Sequence, residues 1–430
     1  MESGVQSTSQ TNRPVAQWQS ASINTEEGAA FNSCSAYQNS AGLLFLSHCV
    51  PNPPNKGEKI RAHHELLACA RSWPVHLVCF ARSEREVQDA LELRSLCASV
   101  HVEHLREPVA LAKAAIAFAT GSSLTLSFYS SGGLKSHIKK LMASTPMFAS
   151  LAYSSAMVQY APETIPMVLD MVDADSEKWR QFAETRRPRW LYRSEARRLK
   201  EQELAQVRRA RQTFVTTDRE AEVLSGGGYS AETMCNGVDT AYFDPAIVPA
   251  KTVAGCPVVF LGAMNYYPNI DAVCWFAAEV FPEWKRRNPR ASFLIVGRNP
   301  PAQVRELERN EGIQVVGEVE DVRPYLASAK AMVAPLRIAR GIQNKVLEAL
   351  AMGKQAIVSP QVAECFGAQQ PEGVRRCDSV EDYLAALASI ENSPAISDPA
   401  IRAEVRERFS WEANLAHLHS ALEPLARASR

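Results

Sequence analysis

The densest chemistry in the chain lies in Ala334-Pro-Leu-Arg-Ile-Ala-Arg-Gly-Ile-Gln-Asn-Lys-Val-Leu-Glu-Ala-Leu-Ala-Met-Gly353. An apolar strand runs into a short loop and then into a helical pattern over Ile342–Met352. Gly341 and Ile342 stand where that helix opens, so bare backbone and free amides can approach an anion closely. A helix N-terminus favours phosphate through its unpaired N–H groups and its dipole. Lys345 and Arg340 flank the opening and add full charges. Glu348 follows Lys345 by one turn, where a carboxylate can accept two hydroxyl hydrogen bonds from a ribose. The same residues also fit an ordinary amphipathic helix with a Lys–Glu surface pair.

Other segments end in the same kind of turn. Val258–Leu261 reads as a strand running into Gly262, with Asn269 placed to cap a helix from Ile270. Gly297 closes the strand Phe293–Val296, and Val319–Val322 forms a further loop. Asn236-Gly-Val-Asp239 is a turn tetrad with Tyr242 and Phe243 just after it. Near the start, Leu43–Ser47 leads into Pro51-Asn-Pro-Pro-Asn-Lys-Gly-Glu-Lys-Ile-Arg61. This loop contains Gly57 and offers Lys56, Lys59 and Arg61 as cations. His48 follows the same strand and reads either as a cleft-facing base or as a packed histidine. Asp170, Asp173 and Asp175 read either as metal or acceptor ligands or as turn carboxylates that start the next helix.

Positioning these groups takes two series of buried strands. The first is Leu43–Ser47, Val75–Phe80, Val100–Leu105, Met147–Ala152 and Thr213–Thr217. The second is Val258–Leu261, Phe293–Val296, Ile313–Val316, Ala331–Ala334 and Gln355–Val358. Helical patterns alternate with them, at Lys59–Arg71, Glu84–Cys97, Ile270–Arg286 and Gln303–Arg309. Alternation twice over implies an α/β chain with two doubly wound domains facing across a cleft. Ligands of such sheets bind beyond the carboxyl ends of the strands. We place the divisions at 1–40, a disordered tail of which half is Ser, Thr, Asn or Gln; 41–240; 250–405; and 406–430.

Composition removes several classes. The chain has 430 residues with 47 basic and 47 acidic side chains, which argues against a whole-chain nucleic-acid binder. No apolar run reaches the about 18 residues of a membrane span, and no secretory pattern opens the chain, so a cytoplasmic protein is expected. The ten cysteines form no C-x-x-C pair and read as buried hydrophobes. Neither a P-loop nor a G-x-G-x-x-G sequence after a first strand is present.

The ordered set of motifs resembles glycosyltransferase family 4 among the GT-B enzymes. It is most similar to bacterial sugar transferases found with exopolysaccharide and PEP-CTERM sorting loci. Residues 43–61, Leu169–Trp179, Asn236–Asp239, Gly262–Asn269 and Arg340–Met352 match in order, and the likeness spans about residues 41–390. It implies two Rossmann-like domains and retaining transfer from a nucleotide diphosphate sugar, with no cofactor or bound metal expected. The acceptor, a glycan or lipid-linked hydroxyl, would bind the N-terminal domain and the nucleotide the C-terminal one. Glu348 matches the second Glu of the family's spaced Glu pair, which holds the donor ribose. Gly341 matches the glycine after the first Glu, and Gly297 with Val322 the loops around the base. Two departures stand out: Arg340 replaces the first Glu, and the basic pair expected within Gly262–Asn269 is missing. Diphosphate stabilisation then falls to Lys345, Arg340 and the helix amides. A sugar-nucleotide epimerase or hydrolase, or a non-catalytic sugar-nucleotide binder, remain alternatives on these residues.

Residues 177–211 carry 12 Lys/Arg against 5 Glu with Trp179, Phe182, Trp190 and Tyr192 interleaved. Pro188 should split them into two helices. They read either as a surface that docks on the inner face of an anionic cell membrane or as a solvated arm with its aromatics inside. By the same family resemblance, a helix begun by Phe409-Ser-Trp-Glu would cross back to brace the N-terminal domain.

Overall fold

An apolar run without a polar face needs burial on both sides, and parallel sheets supply it. The computed structural model describes residues 40–429 apart from 56, 227, 250, 252, 254, 340, 368, 369 and 393–396. The tail assignment for residues 1–39 therefore lies outside the described residues. The first sheet contains β1 (Gly42–Ser47), β2 (Val75–Ala81), β3 (Ser99–His104), β4 (Met147–Tyr153), β5 (Met167–Val172), β6 (Gln212–Val215) and β7 (Glu232–Thr233). All its pairings are parallel, in the order β3-β2-β1-β4-β5-β6-β7. The second contains β8 (Cys256–Leu261), β9 (Ala291–Val296), β10 (Ile313–Gly317), β11 (Ala331–Ala334), β12 (Gln355–Val358) and β13 (Val374–Arg376). It is parallel throughout, in the order β10-β9-β8-β11-β12-β13. Each order reverses beside its first strand, between β1 and β4 and between β8 and β11. Those reversals open the crevices where ligands of doubly wound sheets sit.

Both first strands are buried at every position. The second sheet centres on Phe260, Phe276, Phe293 and Trp284. The helix Trp411–Ala428 joins the core of the first sheet through Trp411, Leu415, Leu418 and Leu422. The chain thus passes between the sheets twice, and the two passages touch: the Val238 N–H donates to the Phe409 carbonyl at 2.8 Å.

Three strands escaped the sequence reading. β5 carries Asp170 in its middle, β7 has two residues, and β13 has two arginines among its three residues (Val-Arg-Arg). The single helix expected over Ile270–Arg286 is three pieces: Tyr267–Trp275, a wider turn at Phe276–Val280, and Phe281–Arg287. Pro282 accounts for the break, because it lacks the N–H that would continue the α ladder.

Two helical excursions leave the carboxyl edge of the first sheet. One starts after β3 with Glu107–Ala119 and folds back through Leu124–Phe128. It returns to the end of β3, where the Ser131 hydroxyl donates to Glu103 Oε1 at 2.6 Å. The other starts after β5 with Asp175–Thr185, turns at Pro188, and returns along Arg189–Arg209. The expected break at Pro188 is present.

Candidate functional site

β8 ends at Leu261, and Gly262 turns the chain with φ +156°. β9 ends beside it, and a Cβ on Gly297 would collide with the Gly262 carbonyl. Two glycines in register therefore let adjacent strand ends touch backbone to backbone, keeping the crevice floor free of side chains. On the other side of the order reversal, β11 leads through Pro335–Gly341 to the helix Asn344–Ala351. Gly341 has φ +60°, a left-handed conformation that a side chain disfavours. Gln343 occupies the N-cap and makes no side-chain capping bond, while the Val346 N–H donates to the Gln343 carbonyl at 2.8 Å, which leaves the amides of Asn344 and Lys345 uncapped by that side chain.

This tip opens onto the gap between the sheets. A Cβ on Gly341 would stand 3.5 Å from Thr216 Oγ1, at the end of β6. Asn344 Oδ1 accepts from Asn236 Nδ2 at 3.3 Å, so the tetrad after the first sheet touches the first residue of the helix. Ile342 is buried beneath the tip.

Lys345 reaches the floor of the crevice. Its ammonium donates to Asn269 Oδ1 at 2.6 Å and lies 4.4 Å from the centre of the Phe260 ring. It would lie only 2.9 Å from a Cβ on Gly262. Lys345 thus brings a cation, from a different strand connection, to the Gly262–Asn269 turn, which has no Lys or Arg of its own. Asn269 does not cap the helix as expected. Pro268 starts the helix at Tyr267, which puts Asn269 in its first turn, with Nδ2 donating to the Ala263 carbonyl at 2.9 Å. The result is better suited to binding: a backbone-anchored amide holds the ammonium in one orientation.

Glu348 lies one turn further along. Lys345 and Glu348 are densely surrounded by protein yet each keeps an edge open to solvent. Burial pulls the Lys345 ammonium down to about 7, against the attraction of Glu348. Burial pushes the Glu348 carboxyl up to about 7, against the attraction of Lys345. Each group in its charged form lacks the solvation it would have in water, and an anion with hydroxyls beside it would supply that.

Val322 is buried and precedes the helix Arg323–Ser328. Arg323 donates to the Tyr242 carbonyl at 2.9 Å and lies 3.7 Å from the centre of its ring. Burial raises the Tyr242 hydroxyl, and the charges of Asp321 and Glu348 add to that rise. Sequence reasoning noted Tyr242 only as an aromatic following a turn and passed over Asn344, Thr216 and Arg323. Arg340 lies outside the described residues, as does Lys56.

Lys59 and Arg61 of the first loop are already engaged, which corrects their expected role. Gly57 begins the helix Gly57–Ser72, and Lys59, 4% exposed, donates to Glu86 Oε1 at 2.8 Å. Arg61 is 1% exposed and donates through Nε to Asp170 Oδ2 at 2.5 Å. Placing Gly57 in a helix, rather than in an open loop, turns both side chains inward. The three aspartates also separate. Asp170 pairs with Arg61, Asp173 accepts from Thr216 at 3.1 Å, and Asp175 accepts from Ser155 at 3.3 Å. Ala174 occupies the N-cap of the next helix, so none of them caps it. Among the described residues no group of three His, Cys, Asp or Glu is placed to hold a metal ion. His48 stands at the β1–β4 reversal, its ring stacked on Tyr153 at 5.5 Å and 3.7 Å from Glu58 Oε2.

The fold has known counterparts. Sucrose-phosphate synthase from Thermosynechococcus elongatus superimposes with a TM-score of 0.61 at 15% identity, covering 90% of this chain and 100% of that one. Anabaena HepE in complex with UDP gives 0.63 at 11%, covering 89% and 100%. The trehalose 6-phosphate synthase of Burkholderia multivorans gives 0.59 at 10%, covering 91% and 100%. At these identities the likeness establishes the architecture, two Rossmann-like domains in the GT-B arrangement. No curated protein matches the chain. Residues 256–391, which contain Gly262, Asn269, Gly297, Lys345 and Glu348, match the family model of the group 1 glycosyl transferases.

Proposed function

We propose that the chain transfers a sugar, with retention, from a nucleoside diphosphate sugar to an acceptor hydroxyl in the assembly of an extracellular polysaccharide. The observation that carries this reading is the Lys345 ammonium, fixed by Asn269 over Phe260 at the helix tip, with Glu348 one turn away. The diphosphate rests against the amides of the tip and the ammonium, and Glu348 accepts from the ribose hydroxyls. As the glycosyl–phosphate bond breaks, negative charge grows on the leaving oxygen, where preorganised donors count most. The acceptor oxygen forms the new bond on the same face, and its proton passes to the departing phosphate. The HepE complex with UDP supports testing uridine diphosphate sugars first. The polysaccharide assignment rests on the sequence resemblance.

A panel of nucleoside diphosphate sugars, read by thermal shift and then by nucleoside diphosphate release with acceptor extracts, tests the reading. A stabilising donor and acceptor-dependent release are expected. Sugar isomerised or freed from donor alone, or binding without release under any extract, would replace it with the epimerase, hydrolase or non-catalytic alternatives.

The titration of the pair adds a second expectation. Lys345 begins to lose its proton near pH 7 in the free protein, whereas a bound diphosphate favours the ammonium. Binding should therefore take up a proton, and nucleoside diphosphate affinity should fall above pH 7 by up to about tenfold per pH unit. Below pH 7 protonation of Glu348 removes the ribose acceptor, so affinity should fall on that side too. Calorimetry in buffers of different ionisation enthalpy measures both limbs. A flat profile between pH 7 and 9 would mean that Lys345 does not meet the diphosphate.

A further inference from the structure

The helix Glu107–Ala119 has its residues the wrong way round for a water-facing surface. Ala110 and Ala114 are buried, while Val109, Leu111 and Ile116 are 49%, 61% and 69% exposed. A surface helix of a soluble domain ordinarily turns its large apolar residues inward. Beside it, the ring of Trp190 lies 6.2 Å from that of Phe118 and is 65% exposed. The helix contains two charged residues, Glu107 and Lys113. Around this patch the second excursion supplies the charge. Arg187, Arg189, Arg193 and Arg197 are exposed. A concavity of about 290 Å³ is lined by Arg180, Glu184, Arg189 and Arg193. Arg180 pairs with Glu177 and Glu184, whereas Arg189 and Arg193 form no ion pair among the described residues.

We propose that Glu107–Ala119 and Trp190, rimmed by the arginines that follow Pro188, form a docking face for an anionic lipid bilayer. Apolar side chains that enter the acyl boundary, an indole at headgroup depth and guanidinium groups among lipid phosphates are the parts of an interfacial helix. Charge decides against a second copy of the chain, because a symmetric pair would bring one arginine rim against the other. The sequence places the apolar component within 177–211, but the structure spends most of those aromatics elsewhere. Trp179, Phe182 and Tyr192 pack on one another inside their own hairpin, which leaves Trp190. Both excursions leave the carboxyl edge of the first sheet. The inference goes beyond the transfer reaction, and its surface evidence is independent of that reaction.

Flotation of the full chain with vesicles tests it, using phosphatidylethanolamine with about a third phosphatidylglycerol and, separately, phosphatidylcholine alone. The parent should float with the anionic vesicles. Leu111→Glu/Ile116→Glu should lower binding by about tenfold or more. Arg189→Glu/Arg193→Glu should abolish the preference for the anionic vesicles. Both variants should keep the parent's thermal shift with a nucleoside diphosphate, which separates this proposal from the proposed reaction. It is overturned if the parent stays with the unbound protein at low salt, or if Leu111→Glu/Ile116→Glu floats as the parent does. A parent dimer that the same variant splits would assign the face to self-association and overturn it equally.

Discussion

Replacement of Lys345 by methionine is expected to lower kcat/KM for donor turnover by about 10²–10³-fold while the melting temperature stays level or rises. The first half follows from where the ammonium sits. The ammonium sits between the Gly262 turn after β8 and the helix tip, so in the proposed reaction it would face the leaving diphosphate, and loss of one preorganised donor costs that much in comparable sites. The second half follows from the sign of its titration. Burial lowers the Lys345 pKa to about 7, so the folded state disfavours an ammonium that the unfolded chain keeps up to the ordinary lysine range. Between those two values the unfolded chain binds more protons, and the stability lost through this group grows as pH falls through 10 toward 7. Methionine removes that cost and fills similar volume. Glu348, already pushed up to about 7, can take its proton in the variant and remain neutral. The pairing of lost turnover with retained or improved stability is the mark of a site residue that opposes folding. A steady-state assay with a melting curve checks it. Normal turnover would remove Lys345 from the reaction, and a steep fall in melting temperature would make it structural.

Much of this site was legible before any coordinates, and the reason is geometric. Gly341, Lys345 and Glu348 lie on one strand–loop–helix unit, so helical spacing alone fixes their relation, and the fold class follows from alternating apolar runs. The contacts that complete the site cross between units. Asn269 was identified by its place after a glycine turn, but its bond to Lys345 spans 76 residues. Tyr242 is held through its carbonyl and ring by Arg323, on yet another connection. Lys59 and Arg61 show the converse error. A glycine-bearing loop with cations is a fair sign of an anion site, yet chain-local reading cannot see Glu86 or Asp170 waiting inside. The aromatic residues in 177–211 left two readings open for the same reason: their helical spacing describes a hairpin's own packing, which Trp179, Phe182 and Tyr192 adopt, as well as it describes an exposed stripe.

The buried end of Arg61 yields the largest expected change in stability. Asp170 and Glu65 are fully buried beside it, with Glu65 Oε1 3.2 Å from Nε. Burial works against the Arg61 charge, but Asp170 and Glu65 outweigh it and hold the guanidinium above its ordinary range. Burial and the neighbouring Asp170 raise Glu65 well above a normal carboxyl, against the attraction of Arg61. Arg61→Met should then cost about 3–5 kcal/mol, because it strands a carboxylate that water cannot reach. Arg61→Met/Asp170→Asn should recover at least half of that loss. It removes the anion while keeping Oδ1 as acceptor for the Val172 N–H, which Asp170 holds at 3.1 Å. That bond matters because Val172 is a branched residue with φ +68°. Urea midpoints for the parent and both variants measure the effect, and a single variant within about 1 kcal/mol of the parent would show the charge to be dispensable. Nucleotide affinity should not recover in parallel. Arg61 Nη1 also donates to the Met234 carbonyl at 2.8 Å and to Asn236 Oδ1 at 3.3 Å, and Asn236 in turn donates to Asn344 at the helix tip. The double variant restores the fold of the first sheet but not this link. A nucleoside diphosphate Kd that stays several-fold weak in a restabilised protein would identify Arg61 as a positioning residue that acts through Asn236 on the tip carrying Lys345.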